Sequence, residues 1–234
     1  MRRLLLLVAA AAACAGAAAP QALAARECDG LDVCVPVAGP WVVVPTPAAT
    51  PRPVVRYQLT CPRGHVVAGV DVELSHRAVD VTWAALPGSP VNPGISTERS
   101  ALFSAVHTGS GTPPATFRPH IGCIPAAGGG GRIPTSLDAV FPPAPPPVRR
   151  VRTARVRPGT TTMTQRCGAG ERVVGAWHAV GFGTARPPGA GLLRSVRATR
   201  TLRAGTLRVT ARASASLRNR QAFVQAGVVC GAAL

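Results

Sequence analysis

At 234 residues the chain has room for one large domain or two small ones, and its 26 basic side chains are all arginine, with no lysine. Apolar residues make up 47% of it, but Gly 25 and Pro 24 break them into short runs, which excludes long helices. Beyond residue 25 no run reaches the roughly 18 uninterrupted apolar residues of a membrane span, and the formal charge of +17 directs attention to anionic partners.

Residues 1–24 read as a secretory signal. Arg2 and Arg3 form the positive start, Leu4 to Ala19 the apolar stretch, and Ala22-Leu23-Ala24 a small-residue cleavage site. The expected mature chain is therefore secreted and extracellular. Cys14 after Ala11-Ala12-Ala13 offers the alternative of a lipoprotein anchored there, against which stands the missing Leu three residues before it.

Six cysteines remain after the signal: Cys28, Cys34, Cys61, Cys123, Cys167 and Cys230. An even set in an exported chain implies disulfides rather than redox chemistry. Several pairings are open to six thiols, but the separations repeat, 62 residues from Cys61 to Cys123 and 63 from Cys167 to Cys230. Each unit closes most economically on itself, which leaves Cys28 and Cys34 to clip the loop Asp29 to Val33. Closing a loop of some sixty residues stabilises by roughly 4 kcal/mol in the chain-entropy account. No CxxC pair and no His beside a cysteine pair is present, so no metal or cofactor is expected.

In chain order, residues 25–40 form the clipped segment. Trp41 to Val44 is a short strand stopped by Pro45, and Thr46 to Pro53 an extended connector. Val54 to Cys61 alternates, with Val55, Tyr57, Leu59 and Cys61 on one face. After the Pro62-Arg63-Gly64 turn, Val66 to Leu74 sets Val66, Ala68, Val70 and Val72 against Val67, Gly69, Asp71 and Glu73. Ala78 to Ala84 alternates again, Leu86 to Ser100 is a loop, and Ala101 to His107, a Gly109 to Pro114 turn and Ala115 to Cys123 read as a hairpin. Residues 124–147, rich in Gly and Pro, are the expected linker.

The second unit repeats the plan. Val148 to Val156 and Thr160 to Cys167 match the approach to Cys61, and Val173-Val174 falls six residues after its cysteine where Val66-Val67 falls five after the first. Thr206 to Ser216 alternates most cleanly, with Leu207, Val209, Ala211, Ala213 and Ala215 inward and Arg208, Thr210, Arg212, Ser214 and Ser216 outward. Gln221 to Cys230 closes the unit. The expected fold is all-β, two related antiparallel sandwich-like modules at 41–123 and 148–234, each closed by one disulfide.

The Cys61-Pro62-Arg63-Gly64 turn, the Val-Val strand after it and the closing cysteine resemble the repeated β modules of an uncharacterised secreted family of high-GC Gram-positive bacteria. Asp29 to Trp41, Pro90 to Ser96 and Gly175 to Phe182 look like its signatures, although Gly168 stands where Pro62 does in the first copy. The resemblance implies secretion, disulfides and an all-β fold, and brings no catalytic residue.

Charge divides the chain. Residues 26–148 hold eight arginines and eight acids, whereas from Arg149 onward 16 arginines face Glu171 alone. Two clusters stand out, Arg149, Arg150, Arg152, Arg155 and Arg157, then Arg194, Arg197, Arg200 and Arg203 followed by Arg208 and Arg212. On a strand, Arg208 and Arg212 project from one face beside Thr210, a patch suited to phosphate, sulfate or carboxylate oxygens. The anionic-ligand residues are thus Arg149, Arg150, Arg152, Arg194, Arg197, Arg208 and Arg212. Aromatic residues at 4% leave little to stack bases, which argues against nucleic acid.

Motifs for zinc peptidases, serine hydrolases, P-loops and dinucleotides are absent. Asp71 and Glu73 share a strand face and, with His65, His76 or His120, carry the alternative of an envelope-glycan hydrolase. His178 follows Trp177 where Asp71 follows Val70, and one shared active site would not tolerate both. Trp41, Trp83 and Trp177 read as core, with a neutral-glycan lectin as the alternative. The sequence thus favours a secreted, non-catalytic binding or structural protein of the cell envelope, its second module against an anionic polymer or an acidic protein.

Overall fold

The computed structural model describes residues 26–46, 52–84, 98–109, 114–126 and 147–232. The signal with Cys14, most of the loop after Leu86, the tip of the Gly109 to Pro114 turn and the body of the linker lie outside it. The first half contributes β1 (Val35–Ala38), β2 (Trp41–Val44), β3 (Val54–Thr60), β4 (His65–Leu74), β5 (Val79–Ala84), β6 (Ser100–His107) and β7 (Ala115–Pro125). The second contributes β8 (Val148–Val156), β9 (Gly159–Arg166), β10 (Glu171–Phe182), the short helix α1 (Ala190–Arg194), β11 (Val196–Arg203), β12 (Thr206–Ala213) and β13 (Ala222–Ala232). No described helix is long and apolar enough to cross a membrane.

The all-β expectation holds, and the strands assemble in three layers. A seven-stranded antiparallel sheet runs β4-β7-β2-β10-β13-β8, with β1 continuing the β2 edge of β7. Two three-stranded sheets, β3-β6-β5 and β11-β12-β9, pack on it. The pairings of β4, β7 and β2 recur in β10, β13 and β8, and those of β3, β6 and β5 in β9, β12 and β11. The halves meet where Trp41 and Val42 pair with Phe182 and Gly181, so one sheet passes through both.

Strand direction decides where the small sheets lie. Neighbours in the large sheet are antiparallel, so β10 runs opposite to its counterpart β4, and a strand laid down reversed in the same lateral order presents its other face. Val42, Val44, Phe117, Ile121 and Ala179 accordingly join one cluster beneath β3-β6-β5. Val43, Val180, Phe182, Val224 and Val228 join the other beneath β11-β12-β9. The small sheets thus sit on opposite faces, offset along the shared sheet. Each large side chain buried in these clusters contributes about 1.5–3 kcal/mol.

Three local expectations change. First, β6 and β7 are not a hairpin: β6 pairs β3 and β5, while β7 pairs β1, β2 and β4. Both faces of β7 are covered, so it belongs to the middle layer, and the chain changes layer between β6 and β7. Second, the alternation of β4 breaks at a bulge between Val67 and Gly69, which puts Val67, Val70 and Val72 on one face and Gly69, Asp71 and Glu73 on the other. β10 has the same bulge between Val173 and Gly175. Val67 faces Cys123 as Val173 faces Cys230, so the copies align without the one-residue offset and the partner of Asp71 is Trp177, not His178. Third, β12 ends at Ala213 and a 3-10 turn at Ala215–Leu217 leaves Ala215 exposed, the core position passing to Leu217.

The predicted disulfides are all present: Cys28–Cys34, Cys61–Cys123 and Cys167–Cys230. Three such bonds fit an oxidising environment. A second tie between the halves is Gln225, buried on β13. Its Oε1 accepts from the backbone N–H of Gln58 at 2.7 Å and its Nε2 donates to the Gln58 carbonyl at 3.0 Å and to Thr153 at 3.1 Å. The amide thereby pairs the open edge of β3 as a neighbouring strand would. Gln225→Leu should cost about 3 kcal/mol, because it strands a buried donor and acceptor together, as a shift of the urea midpoint would show.

Candidate anion-binding face

The solvent side of β11-β12-β9 is a grid set by its register. Inward, Leu207, Val209 and Ala211 of β12 are fully buried and Met163 nearly so. The alternate positions must therefore face out. Arg197, Arg212 and Thr160 form the first row across the three strands, and Thr199, Thr210 and Thr162 the second. Thr201, Arg208 and Thr164 form the third, and Arg203, Thr206 and Arg166 the fourth. Rows follow at ~6.7 Å and columns at ~4.8 Å.

Arginine and threonine alone occupy this grid. None of its arginines has an ion-pair partner among the described residues, where the pairs of other arginines are Arg26–Asp29, Arg118–Glu73 and Arg150–Glu171. Arg197 stands directly opposite Arg212, a like-charge pair that costs stability. β3-β6-β5 supplies the comparison within the molecule. Its outward positions include Val54, Val106 and Asp80, then Arg56, Ser104 and Thr82, then Gln58, Leu102 and Ala84. Equivalent strands thus carry a mixed, nearly neutral surface in the first half, so the fold does not demand the Arg and Thr of the second.

The seven arginines expected to bind anions do not form one patch. Arg197, Arg208 and Arg212 lie on the grid. Arg149 is half-buried on the opposite side of the large sheet, its guanidinium on the Ala84 carbonyl at 3.4 Å, where burial lowers its pKa and Glu98 partly offsets this. Arg150 is bound to Glu171 at 3.0 Å, and the Gly168 N–H with that guanidinium holds the Glu171 carboxyl below its usual range. Arg152 is exposed on the edge strand β8, and Arg194 ends α1. Arg166 and all the threonines but Thr210 were missed, and Arg203, noted in the second cluster, was left out of the seven. Their signal was the alternation Thr160, Thr162, Thr164, Arg166 on β9 and Arg197, Thr199, Thr201, Arg203 on β11.

Asp71, Glu73 and His120 do converge, on the side of β4 and β7 away from β3-β6-β5, whereas His65 and His76 bind local backbone. Nε2 of His120 lies 3.1 Å from Oε1 of Glu73 and its Nδ1 3.6 Å from Oε1 of Glu27, both imidazole and Glu27 being buried. Asp71 accepts from the Arg26 N–H at 2.7 Å. The carbonyl of Glu27 fills the space that a Cβ on Gly69 or Gly122 would take. Asp71 and His120 thus hold the disulfide-clipped segment on the sheet, while Glu73 pairs with His120 and Arg118. The matching surface of β10 and β13 needs no such cover, since β3 crosses it and Trp177 lies over Gly227.

Trp41 and Trp177 are buried, and Trp83 is half-buried against Phe103, so no described tryptophan presents a free ring to a sugar. Cys167, Glu171 and Cys230 lie together, but the sulfurs are bonded to each other and not free to ligate a metal.

At the seam, where β2 and β10 diverge beyond Val42, a cavity of about 310 Å³ is lined by Val43, Val55, Ala179, His178 and Arg200. Burial, joined by the Arg200 charge, holds the His178 imidazole below its ordinary value. A depressed histidine contributes stability that is whole above about pH 6.5, the unfolded value, and is lost as pH falls through the folded one. Urea midpoints should therefore drop between about pH 7 and about pH 5, and drop less in His178→Gln. No family model, curated protein or solved structure matches the chain.

Proposed function

We propose that this is an exported, non-catalytic binding protein of the cell envelope whose Arg/Thr face holds an anionic polymer. The observation that carries the reading is the grid of the second half set against its counterpart in the first. On the same strands in the same arrangement, one surface is mixed and the other has five guanidiniums, seven hydroxyls and no acid. Guanidinium groups fit phosphate, sulfate and carboxylate oxygens bidentately. The hydrolase alternative draws on Asp71 and Glu73, and the engagement of Asp71 with the Arg26 N–H and of Glu73 with His120 and Arg118 favours the binding reading.

Affinity for a polyanion should fall steeply with salt, with a log–log slope of roughly −3 to −5 for five cationic contacts, reduced by roughly two when Arg208 and Arg212 become Ser. Binding that ignores salt and survives those changes would defeat the proposal. Arg212→Thr separates function from folding. It relieves the repulsion with Arg197, so the melting temperature should hold or rise, by up to about 1 kcal/mol in stability, while polyanion affinity drops.

A further inference from the structure

We infer that the ligand of this face is a linear polyanion carrying free hydroxyl groups between its charges, laid along β12. This rests on the anionic-polymer reading and narrows it. A guanidinium only donates hydrogen bonds, whereas a threonine hydroxyl both donates and accepts. No Asp, Glu, Asn or Gln stands on the grid, so the threonine oxygens are its only side-chain acceptors. A ligand made of anionic oxygens alone offers no donor for them. One with hydroxyl groups engages both residue types, each in its own chemistry.

The layout agrees. Arg208 and Arg212 are about 13 Å apart on β12 with Thr210 midway, and Thr162 and Thr164 run beside them on β9. Charge and hydroxyl therefore alternate along the strand, as they do along a polyol phosphate or a polyuronate. Other partner classes lack purchase. Protein interfaces centre on apolar or aromatic anchors, and no grid position is apolar. Single-stranded nucleic acid needs rings on which to stack, and the grid has none.

The test measures binding of the mature chain, at one ionic strength, to four length-matched probes: glycerol-phosphate oligomer, oligogalacturonate, inorganic polyphosphate and neutral dextran. Wild type is compared with the triple change Thr162→Val, Thr164→Val, Thr210→Val and with the same positions changed to Ser. The expected result is that at least one hydroxylated polyanion binds more tightly than polyphosphate. Val should weaken it roughly a hundredfold, three hydrogen bonds' worth, with polyphosphate altered less than about twofold and Ser restoring affinity. Which hydroxylated probe responds tells phosphate from carboxylate. Equal binding of polyphosphate, or a Val triple that binds all probes like wild type or loses all alike while remaining folded, would overturn the inference and leave the anion reading intact. Salt-insensitive binding unaffected by Arg208→Ser and Arg212→Ser would overturn both.

Discussion

A Gly227→Val chain is expected to lose about 3 kcal/mol of stability, the upper part of what overpacking costs in a closed core. A Cβ at that position would clash with the six-membered ring of Trp177, which stands opposite the glycine on the neighbouring strand. The ring has no room to move, because Trp177 is 2% exposed. For a chain of this length the melting temperature should fall by roughly 6–12 °C. A change of only a degree or two would mean that the indole can be accommodated elsewhere, and that the packing over β10 and β13 is looser than its burial implies.

Opening either long disulfide should cost about 4 kcal/mol, since the loops closed are 62 and 63 residues. Equal thermodynamics should come with unequal function. Cys61 follows β3 and Cys123 lies in β7; Cys167 follows β9 and Cys230 lies in β13. Each bond therefore staples the end of an outer strand to the middle layer. In Cys167→Ser/Cys230→Ser the end of β9 next to Arg166 is released, so polyanion affinity should fall together with stability. Cys61→Ser/Cys123→Ser should match it in denaturant midpoint and keep its affinity below the unfolding transition. Identical affinities in the two would place the bound polymer off the β9 column.

Much of this was legible in the sequence where a signal is local. Val55, Tyr57 and Leu59, and Leu207, Val209 and Ala211, announce their strands because period-two burial needs no knowledge of the partner. The repeated cysteine separations announced the two long disulfides. What was not legible depends on partners distant in sequence. A bulge appears only when one strand is laid beside another, so the true alignment of Asp71 with Trp177 stayed hidden. That β6 and β7 part company follows from which layers they join. The candidate face was half visible: Arg208, Thr210 and Arg212 stood out on the cleanest strand. Arg166 and the threonines of β9 and β11 needed the register of three strands to be seen as one surface.

Reversal of the small sheets has a consequence for how the molecule would sit on what it binds. The outward residues of the two small sheets are unlike, arginine and threonine on β11-β12-β9 and a mixed set with Val54, Leu102 and Val106 on β3-β6-β5. A polymer held on the first side leaves the second turned outward, about the thickness of a three-layer stack away. On the proposed reading such a molecule would be a tile with a mortar side and a display side. Attachment through the grid would then turn β3-β6-β5 outward.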